Sequence, residues 1–347
     1  MPLSETAANP VWLNVAIFLV AAAFIWFSGT RLTKLLDGVA HEHRLDHAFV
    51  GMLLLGGITS LPEVANTLTA SAIGEPALAV NNLLGSAAIN ILLLAIADAF
   101  VGRHAVTAIT ARPSTMIMAA LCMIVLVVIA FVITLGDVAV GPVGAGAVAI
   151  GVLSIFSFWL AAGHDDRSRW TVDDKDEIER KAGDDQLPDK SRKALWAGVA
   201  LHGMVIFAAG YALSQTGDGL AEQLGLTSAM VGFALIGTAT SLPELVTIIV
   251  ALKLNRPEMA FGQVLGTNFV NLSLIPLSDA VYRGDPVLNT LGSFEVLLAL
   301  LGTGLIGIFM VGLLEHRDKT IMKMGRDSAA VLLLFALGVG ALASVDA

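Results

Sequence analysis

Thr59-Ser60-Leu61-Pro62-Glu63 lies inside otherwise apolar sequence and recurs as Thr240-Ser241-Leu242-Pro243-Glu244. A carboxylate at bilayer depth is costly, so it faces a bundle interior or a water-filled cavity and marks a substrate or ion path. Here two such acids stand in matched surroundings. A constant offset of 181 aligns Gly51–Asp98 with Gly232–Asp279 without a gap, and 16 of the 48 aligned positions are identical. They include Gly51/Gly232, Gly56/Gly237, Pro76/Pro257, Gly85/Gly266, Asn90/Asn271 and Asp98/Asp279. Two segments alike only in composition would not share so many, so the chain reads as a duplicated unit.

Composition decides the solvent. The chain is 56% hydrophobic and 14% charged, with a mean hydropathy of +0.80, which describes a lipid-embedded protein. Windows able to span about 30 Å of hydrocarbon, about 20 residues each, fall at 11–29, 48–73, 77–100, 114–134 and 138–161, then at 194–214, 227–252, 257–282, 288–312 and 328–345. These ten spans divide into an N-terminal five-helix repeat (1–162, motif spans 48–100) and a C-terminal one (194–347, motif spans 227–282), joined by a charged cytoplasmic linker over 163–193.

Lys and Arg gather in cytoplasmic loops. With the N-terminus outside, 19 of the 20 basic residues fall on the inner side and Arg283 alone falls outside. Adding or losing one span would destroy that split, so ten spans with both termini outside are expected. An odd number of spans per half then inverts the second repeat relative to the first. The expected fold is an all-α polytopic membrane protein of ten transmembrane helices in two inverted five-helix repeats.

Inversion sets the two Glu-bearing spans antiparallel near the midplane, the layout of an alternating-access carrier. Pro62 and Pro243 lack the N–H that would return to Ile58 and Ala239, which frees carbonyls in those turns. Gly56 and Gly237 allow close helix approach. Thr59 and Glu63 share a helix face, which Asn66 extends; Thr240, Glu244 and Thr247 repeat the pattern. On the next span Asn82, Ser86 and Asn90 recur every four residues and are mirrored by Gln263, Thr267 and Asn271. These groups offer oxygen and no soft ligand, which selects hard cations. Two bidentate carboxylates with two Thr or Gly carbonyl oxygens would give about six ligands, within the range of Ca2+. With the site empty, two buried acids are costly unless protonated or paired with Na+, a physical reason for obligatory exchange.

In these motifs the chain resembles the Ca2+/cation antiporter superfamily, and within it the prokaryotic Na+/Ca2+ exchangers. The resemblance implies that Thr59, Ser60, Glu63, Thr240, Ser241 and Glu244 bind Ca2+ and Na+. It places Ser86, Asn90, Thr267 and Asn271 on further ion-binding positions, and Gly56 and Gly237 where backbone carbonyl ligands are expected. Glu63, Glu244, Thr59 and Thr240 form the implied Ca2+ set. The resemblance also implies that the first and sixth helices slide across a static core of the other eight. Departures are Ile58 and Ala239 where the family has Gly, and Gly85-Ser86-Ala87 where it has Gly-Ser-Asn, while Gly266-Thr267-Asn268 keeps the amide. Asn271 stands where potassium-dependent members carry Asp, which argues against potassium coupling.

Blander readings compete elsewhere. Asn66, Asn82 and Gln263 could be interhelical hydrogen-bond glue; Asp98 and Asp279 sit at span ends, where hydration or capping is expected. His202 reads as a packing histidine. His41, His43 and His47 could hold a transition metal, but a solvated turn beside Glu42, Arg44 and Asp46 is the simpler account. The linker reads as solvated, and the net charge of −9 arises largely there and at the outer surface. Cys122 is the single cysteine, so no intrachain disulfide exists. The N-terminus lacks the basic region of a cleavable signal.

No Walker motif appears, so the drive is expected to be an ion gradient and not ATP. The expected function is Ca2+ extrusion against inward Na+, with Ca2+/H+, another divalent cation/H+ or Na+/H+ antiport as the alternative. No cofactor is expected beyond the transported Ca2+ and Na+ (or H+), and the partners are the lipid bilayer and inorganic cations, with no nucleic acid. The location is a prokaryotic-type inner membrane. A channel usually builds its acidic ring by oligomer symmetry, whereas one chain here holds a full pseudo-twofold site, so a monomer suffices. A hydrolase would need a nucleophile with a His partner, and neither motif offers one.

Overall fold

The computed structural model describes residues 6, 8–43, 45–101, 113–162, 192–224, 237–315, 320–321 and 324–346. Nearly all of them are helical. In chain order the helices are α1 (Val11–His43), α2 (His47–Ala72), α3 (Pro76–Val101), α4 (Pro113–Leu135), α5 (Ala145–Ala162), α6 (Arg192–Gln223), α7 (described as Gly237–Thr240 and Leu242–Lys253), α8 (Pro257–Val281), α9 (Ser293–Glu315) and α10 (Arg326–Asp346). Eight of these, α1 to α4, α6 and α8 to α10, are long and apolar enough to cross a membrane. The fifth expected span begins later than its hydropathy predicts. Gly136 and Gly141 take positive φ, 84° and 67°, and the chain makes a short hairpin before α5 starts at Ala145. Residues 163–191 of the linker and 227–236 of the seventh expected span lie outside the described residues.

Burial separates a centre from a rim. Of its most apolar window, α3 buries 78% and α8 61%, against 22% for α1 and 17% for α10. The rim exposes Trp12, Phe24, Trp26 and Phe27 on α1 and Phe156 and Trp159 on α5, as expected of lipid-facing surfaces. At the centre α2 and α8 approach backbone to backbone. Gly51 rests on the Met259 backbone, Gly262 on Ala48 and Gly266 on Met52, leaving no room for a side chain at any of the three.

Both acid-bearing helices are interrupted. α2 contains a π turn over Gly51–Leu55, runs through Gly56–Thr59, and breaks at Ser60 (φ −79°, ψ 0°) before resuming at Leu61. α7 breaks alike at Ser241 (φ −82°, ψ 4°). Pro62 and Pro243 each stand in the first turn of the resumed helix, where a missing N–H costs nothing.

Two small antiparallel hairpins brace the bundle, and they obey the offset of 181. In β1/β2, Ala139 pairs with Gly144 and Val140 with Val143; in β3/β4, Thr320 pairs with Gly325 and Ile321 with Met324. The Gly144 N–H donates to Asp279 at 2.5 Å and the Gly325 N–H to Asp98 at 2.8 Å, so each half's hairpin is held by the other half's aspartate. Asp279 also accepts from Val287 N–H at 2.8 Å, and Asp98 from the Ser328 hydroxyl at 2.6 Å. These acids cap, as their span-end positions suggest, but they are buried. At one end of the bundle, Asp37 of α1 accepts from Arg256 Nε at 3.0 Å and lies 3.0 Å from His47 Nε2.

Removing one acceptor leaves a buried donor unmet, at a cost of about 1–3 kcal/mol. Asp98→Ala and Asp279→Ala should each lower the thermal unfolding temperature in detergent. Unchanged midpoints for both would contradict the cross-bracing.

Candidate ion-binding site

Glu63 and Glu244 open the resumed halves of α2 and α7, and both are fully buried. The carboxylates are close enough to repel one another. None of their four oxygens has a hydrogen-bond partner, and neither acid forms an ion pair among the described residues. The threonines cross over. Thr240 faces Glu63 and Thr59 faces Glu244, but Thr59 already donates to Leu55 O at 3.0 Å, and Thr240 lies 3.2 Å from its acceptor Asn82 Oδ1. Each acid therefore meets the other motif's hydroxyl, and neither meets a protein cation among the described residues.

The amide-bearing helices follow the same crossing. Ser86 of α3 lies 3.4 Å from Thr240 of α7, while Thr267 of α8 stands against Gly56 of α2, close enough that a Cβ on Gly56 would come 3.0 Å from Thr267 N. Asn90 donates to Asn268 Oδ1 at 3.1 Å, and Asn268 donates to Ala87 O at 3.2 Å. Ala87 and Asn268 are equivalent under the offset of 181, so the half that lost the amide meets the half that kept it. That pairing fixes Asn90 with its Oδ1 unpartnered; Asn271, Thr267 Oγ1 and Ser241 Oγ are likewise buried without partners.

The Gly56 carbonyl accepts from Ser60 N at 3.1 Å and Ser60 Oγ at 2.8 Å, and Gly237 O accepts from Ser241 N at 3.1 Å. A cation using these carbonyls would compete with those donors. Asn82 lies against Thr240, Asn66 accepts from Ser214 at 3.2 Å, and Gln263 donates to Thr247. His202 packs edge-on to Phe27. The histidines at the α1/α2 junction do not converge: His43 lies beside Trp196 and His47 beside Asp37, and no metal-holding cluster of His, Cys, Asp and Glu occurs among the described residues. Asn81, Thr67 and Ser214 escaped the sequence reading. Asn81 replaces the Gly262 of the other half, a visible asymmetry, whereas nothing in the sequence of α6 marks Ser214. A cavity of about 470 Å3 between α1 and α6 is lined by apolar residues such as Phe24 and Val205 and holds none of the polar groups above.

An oxygen-rich, doubly acidic interior with no protein cation suits a hard cation. The family model described as "Sodium/calcium exchanger protein" matches residues 13–162 and 194–344. The chain is 26% identical over 285 residues to the inner membrane protein YrbG of Escherichia coli, covering 82% of each chain. It is 40% identical over 55 residues, 16% of each chain, to the sodium/calcium exchanger MaX1 of Methanosarcina acetivorans. A structure of the sodium-calcium exchanger NCX_Mj, soaked with 100 mM Na+ and 10 mM Sr2+, superposes with a TM-score of 0.66 at 17% identity, over 96% of this chain and 99% of that one. That likeness shows the fold.

A cation held by the native pair stabilises the folded state by mass action, about 2.7 kcal/mol at a hundredfold excess over Kd. Ca2+ should therefore raise the unfolding temperature of the purified protein in detergent, and Glu63→Gln or Glu244→Gln should remove the rise. A rise retained in both variants would place the ion elsewhere.

Proposed function

We propose that this chain, which belongs to the sodium/calcium exchanger family, is a secondary antiporter that exchanges Ca2+ for Na+ at the Glu63/Glu244 pair by alternating access. The observation that carries the reading is the pair itself: two fully buried carboxylates, unpartnered, each facing the threonine of the other motif. Their combined charge balances one Ca2+, with Thr59 and Thr240 completing the set. Two Na+ or two protons balance the same charge, so exchange of like charge keeps the interior neutral in every state that crosses. Ser60, Ser241, Ser86, Asn90, Thr267 and Asn271 supply further oxygens for Na+, and Gly56 and Gly237 their carbonyls.

In this reading α5 and α7 complete ten spans in two inverted repeats. Both termini lie outside an inner membrane, the lipid bilayer and the inorganic cations are the only partners, and one chain suffices. Alternating access is supported by an asymmetry between equivalent helices. The offset of 181 extends upstream to pair Gly29 with Gly210, Leu32 with Leu213 and Asp37-Gly38 with Asp218-Gly219. On α6, Gly210 rests against Pro62 and Ser214 reaches Asn66. Symmetric packing of α1 would put Gly29 at Pro243 and Thr33 at Thr247. Instead Gly29 lies at Val246 and Thr247, and Thr33 donates to Gly29 O at 2.9 Å. α1 therefore sits about one turn, about 5 Å, out of register with its counterpart. Interchanging the two registers moves access from one face to the other.

The direct experiment is 45Ca2+ uptake into Na+-loaded proteoliposomes, beside vesicles carrying only a pH gradient. An outward Na+ gradient should drive uptake, and Glu63→Gln and Glu244→Gln should each reduce it at least about a hundredfold, the loss of roughly 2.7 kcal/mol of ion stabilisation. Uptake driven by the pH gradient alone would transfer the coupling to protons, and uptake under neither would overturn Ca2+ as the substrate.

A further inference from the structure

The two acids differ in what lies one turn beyond them. Three residues past Glu244 is Thr247, whose hydroxyl contacts Pro243 O at 2.8 Å and Glu244 O at 3.0 Å and accepts from the Gln263 amide; the next residue is Ile248. That hydroxyl is fully engaged. At the equivalent positions on α2 stand Asn66 and Thr67, on the same helix face as Glu63. Asn66 is 1% exposed and Thr67 0%, yet Asn66 Nδ2 and Thr67 Oγ1 have no hydrogen-bond partner. Ser214 of α6, itself buried, donates to Asn66 Oδ1 at 3.2 Å. One turn further along α2, Ser71 Oγ lies 2.7 Å from Ser278 Oγ. The polar line thus runs from Glu63 toward the Ala72 end of α2, whereas the equivalent of Ser71 on α7 is the apolar Leu252.

A buried hydroxyl without a partner, as at Thr67, is rare in folded proteins and calls for an explanation, whereas the unmet Asn66 Nδ2 is a donor that a cation does not satisfy. Asn66 Oδ1 keeps a second lone pair, and the Thr67 and Ser214 hydroxyls can each accept as well as donate. With Glu63 they bring one negative charge and three neutral oxygens to one side of α2, a balance that suits a monovalent hard cation. We propose that Asn66, Thr67 and Ser214 form a way-station for Na+ beside Glu63, on the path to the membrane face where α2 ends at Ala72. By the Lys/Arg distribution that face is extracellular. The way-station rests on the exchanger reading above. Because Ser214 belongs to α6, which sits here in its one-turn-shifted register relative to α1, the station is assembled in the state that this register defines and comes apart when α6 moves along α2.

The test compares right-side-out with inside-out membrane vesicles, reading the Na+ concentration that gives half-maximal Na+-dependent Ca2+ flux. Asn66→Val and Ser214→Ala should each raise it about tenfold on the Ala72 face, the worth of one ligand to a charged group, and by less than about threefold on the opposite face. Asn66→Asp adds a carboxylate at the same place and should lower it on the Ala72 face, which keeps the test decisive if Asn66→Val fails to fold. Equal shifts on both faces, or no shift in Asn66→Asp and Ser214→Ala while the wild type exchanges, would overturn the way-station. A wild type that exchanges no Ca2+ would overturn the exchanger reading beneath it.

Discussion

Two carboxylates buried side by side, with no protein cation beside them among the described residues, constrain everything else in this molecule. Glu63 and Glu244 are both fully buried, and their mutual repulsion adds to the cost of burial. Such a pair persists only inside a scaffold that cannot relax around it. Much of the architecture outside the site serves that rigidity: the glycine contacts that bring α2 against α8, the Asn90–Asn268–Ala87 link between α3 and α8, and the reciprocal hairpin clasps at Asp98 and Asp279.

The crossing of the two halves turns that rigidity into a site. Each motif taken alone has an acid, a threonine and a broken helix. Only when Thr240 faces Glu63 and Thr59 faces Glu244 do the groups converge, with Ser86 and Thr267 closing from the neighbouring helices. The rigid parts hold the acids, whereas α1 and α6 meet the core through small residues such as Gly29 and Gly210. A glycine against a neighbouring helix leaves little to unlock should the helix move.

The family was legible because costly features stand out. Thr59 to Glu63 and Thr240 to Glu244 interrupt apolar sequence with groups that are costly in a membrane, and the offset of 181 pairs them in the sequence itself. The replacement of Asn268 by Ala87 was visible as a departure, though its consequence, one amide spanning the two halves, needed their spatial apposition. Asp98 and Asp279 read as end caps, but their partners Gly325 and Gly144 lie 227 and 135 residues away, beyond the reach of local pattern. Hydropathy placed the fifth span too early because Val138 to Val143 is apolar, while Gly136, Gly141 and Pro142 bend it into a turn. The unequal registers of α1 and α6 were illegible, since matched sequences carry no information on how differently the two helices pack.

The central claim is that both acids hold one ion. Anomalous diffraction from crystals grown with Ca2+ tests it most directly. The account predicts a single peak between the helix breaks, about 2.3–2.6 Å from carboxylate oxygens of both Glu63 and Glu244. Ca2+ bound by one glutamate alone, or at a position that touches neither, would contradict it.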